Sequence, residues 1–398
     1  MESVATLPLI KTNPRVSSID VLRGLVMVLM ALDHTREFLH KDALLYQPTD
    51  LELTTPELFF TRWITHFCAP AFVFLAGTAA YLSGRKKTPR QLSSFLLTRG
   101  LWLIFLEITV INFSFWFDIT FMTIELQVIW AIGVSMVVLS GLLVLPKQLI
   151  LGIGLCIVFG HNLLDSFSIT ESGLSSLGWL LLHQRQIVPL TAHFQLSVLY
   201  PVLPWVGIMA LGYCFGELYS HGFRTEQRKK MLFWLGMAAL VGFVALRIAN
   251  GYGDPVRWTM QKKTLYSVMS FLNVSKYPAS LSYVLVTLGA TLLVLRWLEG
   301  KHARGLNFLA VYGRVPLFYY VLHFYLIHLL SVGYLLGTGV PWPEINFQNG
   351  LGGVEPGQGL SLEMTYLAWI LVVLTFYPLC FLYNRFKSQK RSRIWSYL

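Results

Sequence analysis

The sequence predicts an all-α polytopic membrane protein with about ten transmembrane helices and both termini in the cytoplasm, and three observations carry that expectation. Of 398 residues, 55% are hydrophobic and 13% charged, with a mean hydropathy of +0.58, well to the apolar side of soluble domains. Apolar runs long enough to cross about 30 Å of hydrocarbon recur along the whole chain. Lys and Arg concentrate on alternate connections, as cytoplasmic loops require. The aromatic share of 14% suits interfacial belts and excludes a disordered or coiled-coil chain. A soluble enzyme is excluded by the same composition. The net charge of +11 is read as positive-inside loops, with no nucleic-acid partner.

The runs lie near 20–40, 62–83, 99–117, 126–145, 148–165, 199–217, 231–248, 279–298, 307–333 and 364–384. No connection between them is long enough for a second domain, so residues 1–398 are read as one integral-membrane domain. With the N-terminus inside, the inner segments hold 21 of the 31 Lys and Arg and the outer ones nine, with Arg314 within a span. Five of those nine, Arg247, Arg257, Lys262, Lys263 and Lys276, share one outer loop, and elsewhere the split is 21 to 4. That loop either attracts an anionic substrate or headgroup or is a long exoplasmic loop that tolerates charge. The run Val21 to Leu32 passes straight into Asp33 and His34 without a small-residue cleavage site, so it is read as a retained helix rather than a signal peptide. Cys68, Cys156, Cys214 and Cys380 lie in apolar stretches without CxxC spacing and are read as buried free thiols.

Ionisable side chains cost several kcal/mol in hydrocarbon unless they face a cavity or a partner, so those inside spans are the functional candidates. In the first helix Asp20, Arg23, Met27, Met30, His34, Glu37 and Lys41 follow one stripe, and His34 lies roughly 16 Å past Arg23, in the outer half. The second opens on Thr54-Thr55-Pro56-Glu57, a capping-box pattern, and places Arg62 and His66 on one face; Pro70 is expected to kink it. The third carries Asn112 and Glu107, the latter needing a cationic partner or a proton. His161 and Asp165 pair at i, i+4 in the fifth, and Tyr320 and His323 at i, i+3 in the ninth, with His328 off that face. His34, His66, His161 and His323 are expected to gather with Asp33, Arg62 and Glu107 on a polar cavity open to the outside, where an imidazole acts as general base. For any one of these histidines, a hydrogen-bonded contact between helices accounts equally well for its presence. There is no P-loop, dinucleotide fingerprint, HExxH or GxSxG elbow, and no repeated histidine pairing of the kind that ligates haem, so neither metal nor haem is expected.

The opening Arg15-Val-Ser-Ser-Ile-Asp20-Val-Leu-Arg23-Gly24, running into Asp33-His34, is followed in order by further short motifs. These are Pro70-Ala-Phe-Val-Phe-Leu-Ala-Gly77, Arg99 with Asn112 thirteen residues on, and Glu125-Leu-Gln127 leading to Gly133. Tyr200-Pro-Val-Leu-Pro204-Trp-Val-Gly207, Leu281-Ser-Tyr-Val284 and Gly313 to Tyr320-Val-Leu-His323 complete the set. Jointly they resemble the heparan-alpha-glucosaminide N-acetyltransferase catalytic-domain family, closest to its bacterial members. The resemblance implies a membrane acyltransferase of the bacterial inner membrane that moves acetyl from cytoplasmic acetyl-CoA to an exoplasmic amino sugar, glycan or glycolipid acceptor, with a homodimer left open. It implies a catalytic histidine toward the outer side, for which His34, His40 and His66 are the local candidates; His34 ranks first for its depth, and His323 matches the family at its own position. Asp33, beside His34 in sequence but about 100° away around the helix, is expected to orient another group.

Arg99, with Arg85, Lys86, Lys87 and Arg23, is expected to hold the CoA phosphates, although a plain positive-inside loop explains Arg85, Lys86 and Lys87 equally well. Arg62, Glu107, Asn112, Gln127 and Tyr320 are the expected substrate-binding residues. The competing function is a proton-coupled transporter or channel in which the same Asp, Glu and His form a relay, and the lack of an internal repeat counts against it.

Overall fold

The computed structural model describes residues 16–169, 176–220, 222–301, 304–347 and 351–389; Arg15, which opens the first motif, lies outside them. Each apolar run is helical. In chain order the helices are α1 (Ser17–Leu39), α2 (Pro56–Ile64), α3 (Cys68–Gly84), α4 (Pro89–Leu106), α5 (Asn112–Trp116), α6 (Val128–Leu142), α7 (Lys147–Gly160) and α8 (Leu177–Leu182). They continue with α9 (Leu203–Phe215), α10 (Thr225–Ala249), α11 (Thr264–Leu272), α12 (Leu281–Leu298), α13 (Arg304–Arg314), α14 (Pro316–Gly337) and α15 (Leu362–Gln389). Thr55 caps α2, its hydroxyl accepting from the Leu58 amide, with Pro56 in the first turn, as the sequence pattern predicts. A 3-10 turn at Thr65–Phe67 joins α2 to α3 just ahead of Pro70, so the expected kink is a change of helix type. A π-helical turn at Glu107–Ile111 joins α4 to α5.

Among the described residues, seven helical rods are long and apolar enough to cross a bilayer: α2 with α3, α4 with α5, α7 with its following turn, α10, α12, α14 and α15. They make the chain an integral membrane protein. The other expected spans fall short for separate reasons. α6 and α9 have only 15 and 13 residues, and α1 carries Asp20, Arg23, Asp33, Arg36 and Glu37. The ninth run is not one helix. It breaks at Val315, because Pro316 starts α14 and cannot continue α13, and Arg314 therefore sits at a helix break rather than within a span. The thiol expectation holds for Cys68 and Cys380, whereas Cys156 is exposed and Cys214 half-buried, because their helices turn those faces outward.

The all-α expectation also needs correction. Strand β1 (Thr123–Leu126) pairs in parallel with β3 (Phe194–Val198), which pairs antiparallel with β2 (Gln186–Thr191). Leu126, Leu180, Val188 and Val198 form a small core of their own beneath it. The strand signal in the sequence is the spacing of two in Val188 and Leu190 and in Phe194, Leu196 and Val198, the latter three separated by Gln195 and Ser197. The sheet matters to the site because Glu125, Arg185 and Gln127 sit on it or beside it.

Lipid gives helices no hydrophobic reason to associate, so close packing must supply it. Four helix pairs cross at facing glycines: Gly24 with Gly313 for α1 and α13, Gly77 with Gly212 for α3 and α9, Gly100 with Gly133 for α4 and α6, and Gly236 with Gly289 for α10 and α12. A Cβ at Gly24 would run into the Leu309 carbonyl, and one at Gly313 into that of Asp20. Gly24→Ala is therefore expected to cost about 1–3 kcal/mol through overpacking. The check is thermal unfolding in detergent, with Gly152→Ala, where the added carbon meets nothing within 4 Å, as the comparison.

α1 is the central column. It packs against α3, α12, α13, α14 and α15, and 17 of its 23 residues are buried. Its polar residues therefore face protein and cavity.

Candidate active site around the α1 histidine

His34 on α1 and His323 on α14 are joined by a hydrogen bond of 2.7 Å between His34 Nδ1 and His323 Nε2. The direction of that bond can be deduced. His323 Nδ1 lies 2.5 Å from the Tyr320 carbonyl oxygen and 3.0 Å from that of Tyr319. Carbonyls only accept, so His323 Nδ1 carries the proton and, in the neutral ring, Nε2 is the acceptor. His34 Nδ1 must then donate, which leaves the His34 lone pair on Nε2. The Phe324 ring stacks on His34 at 4.1 Å between centroids, and the His323 ring lies at 5.0 Å. Packing thus fixes the plane of the His34 ring, and the partner fixes its tautomer.

Two cavities approach this pair from the two ends of α1. A vestibule of about 420 Å³ is lined by Asp33, His34, Glu37, Arg62, His66, Glu125, Gln127, Arg185, Tyr200 and Lys276 among others. Asp33 does not bond His34. Its carboxylate accepts from Arg62 at 2.9 Å and from Arg36 at 3.2 Å, and Arg62 also donates to Thr65 Oγ1 at 2.9 Å. The ammonium of Lys276 lies 5.0 Å from the Tyr277 ring centre and 5.7 Å from that of Tyr200, within cation–π range. The basic loop is thus split by role: Lys276 faces the vestibule, while Arg247 is consumed by the carbonyls of Val256, Ser270, Phe271 and Asn273.

The second cavity, about 430 Å³, is lined by Arg23, Arg99, Arg314 and Lys387, by Tyr320, and by apolar groups including Met27, Phe72, Leu103 and Ile132. Arg23 donates to the Gly313 carbonyl at 3.1 Å and lies 3.5 Å from Asp20, which also faces Arg314 at 3.8 Å. A gap of about 30 Å³ lies between the two cavities. Phe72 and Val128 line both the gap and the basic cavity, while His34, Asp33, Gln127, Tyr200 and Lys276 line both the gap and the vestibule.

Several predicted site residues lie elsewhere. Arg85, Lys86 and Lys87 are exposed in the α3–α4 connection and do not line the basic cavity; Lys87 donates to the Ser83 carbonyl and covers the Phe95 ring. Glu107, fully buried, accepts from the Gln127 amide at 2.8 Å. Of the two expectations for it, a cationic partner or a proton, the first is not met, because its partner is the N-terminus of α6. Asn112 pins β1, bonding both the amide and the carbonyl of Glu125. His161 does not join the vestibule, because it faces His183 and Asp165 instead. His328 lies against the Ser114 carbonyl, and His40 against that of Leu360. Sequence reasoning missed Arg185, Lys276 and Tyr200 in the vestibule and Arg314 and Lys387 in the basic cavity, although Tyr200 stood in a quoted motif and Lys276 in the basic loop.

The family model for heparan-alpha-glucosaminide N-acetyltransferase, catalytic, matches residues 15–248. The chain belongs to this family. No curated protein matches it. Membership in the heparan-alpha-glucosaminide N-acetyltransferase family points to a membrane acetyltransferase. The matched residues hold His34, Arg62, His66, Arg99 and Gln127, whereas Leu281–Val284 and Gly313 to His323 lie beyond them.

Outside the spans, one vestibule group titrates near neutrality. Burial, reinforced by the neighbouring Glu37 carboxylate, raises Glu125 to about 7. For an acid raised on folding, the unfolded chain loses its proton first, so the contribution to stability is full below about pH 4.5 and is lost as pH rises through about 7. Glu125→Gln removes that loss. Its unfolding temperature relative to wild type is expected to rise between pH 5 and pH 8 (roughly the window set by the two values), and a difference independent of pH would refute the assignment.

Proposed function

We propose that this protein transfers acetyl from cytoplasmic acetyl-CoA to an exoplasmic amino sugar, glycan or glycolipid, across a bundle of about ten membrane-embedded helices acting as one domain in the bacterial inner membrane, with both termini inside. The observation that carries the reading is the approach of two cavities of different character, one basic and apolar, the other polar, to a small gap lined by His34. The 21 to 4 distribution of Lys and Arg outside the basic loop supports an inner side for the basic cavity and an outer side for the vestibule. Arg23, Arg99, Arg314 and Lys387 suit the phosphates of CoA, and the apolar walls suit its pantetheine arm.

A thioester is already activated, so the protein's work is proton transfer and charge stabilisation. His34 Nε2 takes the proton from the acceptor amine or hydroxyl as that group attacks the thioester carbonyl. His34 then returns the proton to the departing thiolate, so no net proton is gained or lost. His323 keeps the base in its reactive tautomer. The Tyr320 hydroxyl, buried without a hydrogen-bond partner among the described residues on the wall of the basic cavity, donates to the developing oxyanion. Arg62, Gln127, Arg185 and Lys276 orient the acceptor.

The test is transfer of labelled acetyl from acetyl-CoA into envelope material by purified protein. Solute counter-flux without label transfer would replace the enzyme by a transporter. Arg99→Ala is expected to weaken CoA binding about tenfold, the scale of one charge-assisted contact. Equal affinities by calorimetry would remove Arg99 from the phosphate site.

A further inference from the structure

A second cluster of titratable groups stands apart from both cavities, where α7 ends in the 3-10 turn His161–Leu164. His183 reaches it from the C-terminal end of α8. His161 and His183 are 2% and 3% exposed, with ring centroids 5.8 Å apart. His183 Nε2 lies 2.9 Å from Asp165 Oδ1. Asp165 Oδ2 accepts from Asn162 at 2.7 Å, and Asn162 Oδ1 accepts from the Leu281 amide at 2.9 Å. The carboxylate is therefore oriented by a group that is itself tied to the start of α12. One ligand atom from each of His161, Asp165 and His183 lies within 4.8 Å of the other two.

Among the described residues, neither ring nitrogen of His161 has a hydrogen-bond partner, nor does Nδ1 of His183. A neutral imidazole presents one donor and one acceptor, and each left unsatisfied in a buried site costs about 1–3 kcal/mol. Buried groups in that state need an occupant to explain them. A site holding two imidazoles and one oriented carboxylate is a donor set for a borderline metal ion.

We propose that His161, Asp165 and His183 bind a divalent first-row transition ion, best matched by Zn²⁺, with water in the fourth position. Metal–ligand bonds of about 2.0–2.2 Å in a tetrahedron put ligand atoms about 3.3–3.6 Å apart, so ligand atoms now within 4.8 Å of one another need to close by at most about 1.5 Å. Asn162 is the outer group that aims the carboxylate. The ion fastens α7 to the segment carrying β2 and β3. Arg185, two residues after His183, enters the vestibule from that segment, so the ion acts as a structural clip beside the site. The sequence reading expects no metal because the third ligand stands 18 residues beyond the i, i+4 pair, a spacing only the fold closes.

The experiment uses full-length protein without a polyhistidine tag, stripped by chelator and titrated with Co²⁺ in detergent. The expected result is about one Co²⁺ per chain with tetrahedral d–d bands that Zn²⁺ abolishes. Chelator should lower the unfolding temperature by several degrees, with recovery on adding Zn²⁺. His161→Gln and His183→Gln should each lose the bands, while His193→Gln, at the exposed β2–β3 turn, keeps them. Wild-type protein that binds no stoichiometric Co²⁺, or bands that survive in His161→Gln, would overturn the proposal in favour of a water-filled pocket. The wild-type titration decides the matter even where a glutamine variant fails to fold.

Discussion

His34→Asn is expected to lower acetyl transfer by roughly 100-fold or more, the scale of a lost general base, with the protein still folded and its CoA affinity kept. Asparagine is the informative replacement because its amide can still donate to His323 Nε2 but offers no basic nitrogen. His34→Ala would add a folding cost of about 1–3 kcal/mol, since the buried His323 nitrogen loses its donor. The same network predicts an order at His323: glutamine, which can accept from His34 Nδ1, retains more activity than leucine, which cannot. Single-turnover rates with labelled acetyl-CoA check both positions. Wild-type turnover by a folded His34→Asn protein would move the base to His66, the other histidine lining the vestibule.

Asp33→Asn is expected to cost about 3–5 kcal/mol, the penalty for leaving buried cations without their anion. Two guanidinium groups depend on this carboxylate. Arg36 and Arg62 are 3% and 7% exposed, and Asp33 itself is 5% exposed. Arg62 retains Thr65, and Arg36 retains Glu37 at 3.3 Å, which leaves each with a weaker contact. Combining Asp33→Asn with Arg62→Gln should cost less than the sum of the two changes, because the pair is lost only once. Thermal unfolding of the three variants measures this, and an unchanged unfolding temperature for Asp33→Asn would show that the cations find other anions.

The helices were legible because lipid imposes a length and an apolarity that show directly in the sequence. The polar stripe on α1 was legible for the same reason, since charges there stand against an apolar background. Three features were hidden by distance along the chain. Arg314 and Lys387 reach the basic cavity from residues far from Arg99, whereas Arg85, Lys86 and Lys87 are near it in sequence and not in space. Glu107 finds the end of a helix, a partner that residue types do not reveal. His161 finds a partner within a connection that looked like plain loop. The Val315 break was signalled by Pro316 but masked by apolar residues on both sides.

The burial of α1 bears on how the protein is made. This helix is synthesised before the helices that shelter it, yet its five charged residues each cost a few kcal/mol on the scale by which the translocon admits segments to lipid. The helices that shelter it include α13, α14 and α15, the last described elements. His34 meets His323 only after 289 further residues have been added. Until those helices have been added α1 is therefore a largely unsheltered polar helix, and the His34–His323 pair closes only afterwards. A chain that stalls or is cut before Arg304 leaves that polar helix without α13, α14 and α15 to cover it, with its charges turned toward the membrane.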